Sequence, residues 1–171
     1  MHRVESMPIA LDDAKFQQIL DVTVGSQPLR PPEVPTVLQL VRLAAEIDLD
    51  DDPAEQALLG ALTARLGAAT GIVQGRVPRL FPVPTDGEER AAQIATLVRQ
   101  LPTTGARDLA FALAYLMIVS DLELAPVETA TLAQLQRALT IPADRASYLA
   151  EAVARIVTPG VAEARPATVT C

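Results

Sequence analysis

Leu40–Leu66 reads LVRLAAEIDLDDDPAEQALLGALTARL, and 73 residues further on Leu113–Leu139 reads LAYLMIVSDLELAPVETATLAQLQRAL. Ten of the 27 aligned positions are identical, but six of the ten are Leu pairs, which a Leu-rich chain produces by chance. The informative set spans the middle: Asp48 with Asp121, Leu49 with Leu122, Pro53 with Pro126 and Glu55 with Glu128. Aspartate, four residues, proline, one residue, glutamate is hard to generate from composition, so the match marks an internal repeat. Each copy carries apolar residues at helical spacing on both sides of an acidic break. The spacing predicts two helix-turn-helix hairpins about an approximate two-fold axis, with an acidic turn at each tip.

The rest of the chain agrees with a helical body. Of 171 residues, 29 are Ala and 23 are Leu, aromatics are 3% and Trp is absent, so the core is built from residues that head the helix propensity ranking. A chain of this length forms one domain and buries about 70% of its unfolded surface. Helices are expected over Asp12–Val24, Thr36–Ile47, Pro53–Leu66, Asp86–Leu101, Arg107–Ser120, Pro126–Leu139 and Pro142–Val157. Asp52, Pro53 and Glu55 form an N-terminal signal: a capping carboxylate, a proline at the first helical position and a capping-box glutamate. Four prolines in Pro28–Pro35 (PLRPPEVP) and three in Val77–Pro84 (VPRLFPVP) mark connectors, and Gly67 is expected to stop the third helix. The fold class is therefore all-α, a single bundle of about seven helices over residues 1–157 with repeats 40–66 and 113–139. Residues 158–171 have little apolar content and are expected to form a mobile tail.

Several function classes fall away. Cys171 is the single cysteine, too few for a disulfide framework or a thiolate metal site. The 13 Arg and one Lys are scattered and net charge is -7, which disfavours nucleic acid as a partner. The longest apolar run, Leu109–Val119, has 11 residues against the about 20 needed to span a bilayer. Met1–Leu11 lacks the apolar stretch of roughly 7 to 15 residues that a signal peptide needs, so a cytoplasmic location is expected. His2 is the only histidine and lies near the terminus, so no Ser-His-Asp or Cys-His pair can be assembled and no enzyme is expected. Gly67–Gly75 (GAATGIVQG) lacks the Lys-Ser/Thr ending of a phosphate loop.

Charge is unevenly placed. Six acids and no base lie between Arg42 and Arg65, and four acids and no base lie between Arg107 and Arg137. Concentrated like charge opposes folding unless solvent or a cation relieves it, and hard cations such as calcium or magnesium favour clustered oxygen ligands. The candidate metal ligands are Asp48, Asp50, Asp52 and Glu55 from one hairpin, with Asp121, Glu123 and Glu128 from the other. The spacing Asp48, Asp50, Asp52 is not an EF-hand, because Pro53 occupies the sixth loop position and Leu59 the twelfth. The same acids also have a purely structural account as caps, turn residues and a solvated face.

The second copy, Ala112–Leu139 followed by Ile141-Pro142-Ala143-Asp144 and a further helix, resembles the TerB-like tellurite resistance family, which includes the N-terminal domain of the DjlA co-chaperone. The resemblance covers roughly Thr36–Val157. Leu49 and Leu122 stand where family members often have glycine. The resemblance implies an all-helical bundle with a binding or stress-related role and, in some relatives, an acidic metal-binding surface. Two functions from different classes follow. One is a non-enzymatic module that senses or binds a divalent cation, calcium or magnesium, through the acidic turns. The other is a metal-independent scaffold that binds a protein partner or itself, consistent with a mean hydropathy of +0.26 that favours exposed apolar area.

Overall fold

The computed structural model describes residues 11–25, 27–45, 53–70, 83–119 and 126–158, which contain seven α-helices and no strand. In chain order these are α1 (Asp13–Thr23), α2 (Glu33–Ala45), α3 (Pro53–Ala69), α4 (Gly87–Val98), α5 (Thr104–Val119), α6 (Pro126–Leu139) and α7 (Ala143–Val157). None of the described helices is long and apolar enough to cross a membrane.

The apolar run of the sequence becomes the axis of the molecule. Eleven of the sixteen residues of α5 are buried, and Leu109, Leu113, Leu116 and Met117 are fully enclosed, each burial worth about 1.5–3 kcal/mol. Ala110, Ala112 and Ala114 are equally enclosed, so short side chains meet the neighbours where Leu does not. α2 makes the most extensive contact with α5, through a stripe in which Val37, Leu38, Leu40 and Val41 are fully buried. α3 follows α2 and also touches α5, while α6 follows α5 and also touches α2. α1 and α7 pack on α5, and α4 on α2.

Several boundaries differ from the sequence reading, each for a local reason. α2 begins at Glu33 rather than Thr36, so Pro35 lies in its first turn, where the missing N–H has no helical partner to lose. The start is fixed by Glu33, whose buried carboxylate accepts the Arg30 backbone N–H at 2.8 Å and its guanidinium at 3.0 Å. α5 begins at Thr104 rather than Arg107, because the Thr103 hydroxyl accepts the Ala106 N–H at 3.2 Å. α4 ends at Val98, three residues before Leu101 and four before Pro102. Pro142 is the N-cap of α7 rather than its first residue, whereas Pro126 opens α6 as expected.

The helix ends of the two repeats also differ. Gly67 does not stop α3, which runs on to Ala69, since the next residues are good helix formers. At the equivalent position 73 residues on, Thr140 adopts φ 59°, and the Ile141 N–H reaches the Gln136 carbonyl at 3.1 Å. α6 therefore closes with a left-handed cap on a non-glycine residue, because Ile141 is buried and Pro142 cannot continue the helix. α1 closes in the same manner at Gly25, with φ 54° and its N–H on the Leu20 carbonyl at 3.1 Å. The expected tail lies, apart from Thr158, outside the described residues.

Candidate functional site

Glu55 and Glu128 are both the third residue of their helices, α3 and α6. Their side chains, and the whole of Asp48, Asp50, Asp52, Asp121 and Glu123, lie outside the described residues. Pro53 and Pro126 each open a helix, so the sequence offset of 73 is kept at these two helix starts. Among the described residues no group of three or more His, Cys, Asp or Glu stands where it could hold a metal ion.

One acid of the second stretch belongs elsewhere. Asp108 is only 3% exposed and lies in the second turn of α5. Arg145, from the first turn of α7, donates through Nε to Asp108 Oδ2 at 2.9 Å, with Nη2 2.8 Å from the same oxygen. That Nη2 also donates to the Val22 carbonyl at 2.8 Å, near the C-terminal end of α1, where a helix presents unpaired carbonyls and negative potential. One guanidinium thus ties three helices together. Asp108 Oδ1 is buried and has no hydrogen-bond partner among the described residues, so Arg145 carries the neutralisation of this carboxylate. The charge of Asp108 is answered by a base 37 residues away, and it is not part of an acidic surface.

The same arginine touches two residues of a groove, Val22 and Tyr148. Its guanidinium carbon lies 5.0 Å from the centroid of the Tyr148 ring, and Tyr148 is 48% exposed, the exposed large apolar side chain among the described residues. Otherwise the described large apolar side chains are buried or partly buried, so the positive mean hydropathy reflects the Ala- and Leu-rich interior rather than a broad exposed patch there. The groove, about 390 Å³, runs between α1 and α7 and is lined by Gln18, Asp21 and Val22 from one and Tyr148, Ala152 and Arg155 from the other. Asp21 accepts from Gln17 Nε2 at 3.0 Å and Arg155 lies 3.7 Å from Glu151. A carboxylate, a guanidinium and a ring face are suited to holding a ligand; no nucleophile–base pair is among them.

The sequence reading missed Arg145. Its signal is a cation in the first turn of α7, the wrong end for the helix dipole, which implies a carboxylate partner outside the helix. Protein-family models, curated proteins and solved structures were compared with the chain, and none matches.

Proposed function

We propose that the chain is a non-enzymatic, TerB-like binding module that takes a divalent cation, calcium or magnesium, on its two acidic turns and passes the occupied state to a protein partner in a stress-response or regulatory complex in the cytoplasm. The observation that supports this reading is that Pro53 and Pro126 open helices 73 residues apart, so Asp48 with Glu55 and Asp121 with Glu128 hold equivalent sequence positions about two helix starts. Six acids without a base in the first of these stretches is an electrostatic load that a hard cation relieves.

Calorimetric titration with calcium, magnesium, manganese and zinc tests it. Saturable heat is expected in the native chain and is lost in the Asp48→Asn, Asp121→Asn double variant. No heat and no thermal shift at millimolar metal overturns the reading.

A second reading, a metal-independent interaction module, is favoured by the exposed Tyr148 beside the groove between α1 and α7. Light scattering on the same sample separates the two, since an association indifferent to metal supports this reading over the first.

A further inference from the structure

The groove between α1 and α7 follows from side-chain size. Both helices pack on α5 and on each other, burying Ile19 of α1 and Leu149 and Val153 of α7. Beside that seam Tyr148, Ala152 and Ile156 follow one another at i, i+4 and i+8 along one face of α7. The middle one offers a single methyl between two large side chains, so the surface dips at Ala152, and Val22 of α1 lines the opposite side. The resulting volume of about 390 Å³ lies within the size range of small-molecule sites.

The two sides carry opposite charge, Asp21 on α1 and Arg155 on α7. Each is engaged only within its own helix among the described residues: Asp21 accepts from Gln17 at 3.0 Å, and Arg155 lies 3.7 Å from Glu151 in a pair whose side chains are both more than seven-tenths exposed. An exposed pair of that length contributes little, and a carboxylate with one hydrogen bond and a guanidinium with five donors both keep capacity for a ligand. Arg145 holds the two sides in place. It donates to the Val22 carbonyl at 2.8 Å and lies 5.0 Å from the centroid of the Tyr148 ring, while its own charge is met by Asp108. The groove is therefore formed before a ligand arrives, which spares the cost of ordering it.

We propose that this groove binds a small aliphatic zwitterion, with its ammonium at Asp21, its carboxylate at Arg155 and its methylene body over Val22, Ala152 and Ile156. A molecule with one charge answers one side and leaves the other facing water. Charges at opposite ends of a short apolar chain match both sides and the floor together. The proposal goes beyond both readings above, since the site needs neither a metal nor a protein partner.

The test is an amide spectrum of the isotopically labelled full chain titrated with ε-aminocaproate and, separately, with caproate and pentylamine, which keep the apolar chain and one charge each. Saturable shifts are expected at Val22, Tyr148, Ala152 and Ile156, with half-saturation at about millimolar ligand. The zwitterion is expected to bind about 2- to 5-fold more tightly than either single-charge ligand, the contribution of one exposed ion pair. Asp21→Asn is expected to remove the advantage over caproate and keep that over pentylamine, and Arg155→Gln to do the reverse. Each variant carries its own comparison between ligands, so a change in stability does not imitate the result. No shift in the groove at tens of millimolar ligand, equal binding of the three ligands by the native chain, or an advantage over caproate that survives Asp21→Asn overturns the proposal.

Discussion

Arg145 is the residue on which the described polar structure turns. It answers a carboxylate that is 3% exposed, satisfies a carbonyl of another helix and covers a ring. Removing it leaves Asp108 charged and buried, so Arg145→Met is expected to destabilise the fold by about 3 kcal/mol, the lower end for a buried pair because the arginine is about one third exposed. Asp108→Leu combined with Arg145→Met is expected to recover most of that loss, since an apolar pair has no charge to desolvate. Urea midpoints of the single and double variants check the cycle; equal losses in both would show that the pair is not the cause. Thr140 offers the opposite sign. A β-branched residue at φ 59° is costly, and glycine there relieves about 1–2 kcal/mol less its greater unfolded-state entropy, leaving a net gain of about 0.5–1 kcal/mol. At Gly67, helical and with open space around a Cβ, alanine is expected to gain a similar about 0.5–1 kcal/mol. Thermal melts of the two variants should both shift upward; a downward shift at Thr140 contradicts the left-handed cap there, and one at Gly67 contradicts the continuation of α3 through it.

At the level of elements, the helices with strong periodicity were legible from the sequence and their starts were less so. Pro126–Leu139 was placed to the residue, because a first-position proline and a following Ile-Pro punctuate both ends. The starts of α2 and α5 were not, because Glu33 and Thr103 act as caps through hydrogen bonds that composition does not reveal, and the prolines before α2 read as a connector. The site was half legible. Clustered acids are visible as charge, whereas Asp108 and Arg145 are 37 residues apart and meet only through packing of α5 on α7. Element stability follows buried area, and α1 buries three residues where α5 buries eleven. Amide exchange is therefore expected to be faster in α1 than in α5, where opening approaches global unfolding. Removing the Asp12 cap, which accepts the Lys15 N–H at 2.7 Å, should widen that gap by about 1 kcal/mol. Equal protection of the two helices would show that α1 opens only with the whole fold.

At the scale of the whole molecule, the described residues form an all-helical bundle in which α2 and α5 make the most extensive contact, with α1 and α7 packed on α5 and α4 on α2. Under the proposed function the carboxylates of the two acidic stretches serve one cation together. Manganese is a suitable reporter because it takes the same oxygen ligands and broadens the signals of nearby amides. The deciding measurement is an amide spectrum of the isotopically labelled chain during substoichiometric addition of manganese. The account predicts selective broadening at both turns, around Asp48 and around Asp121, in parallel and reversed by excess magnesium. Broadening at one turn alone, or none that is residue-specific, would contradict it.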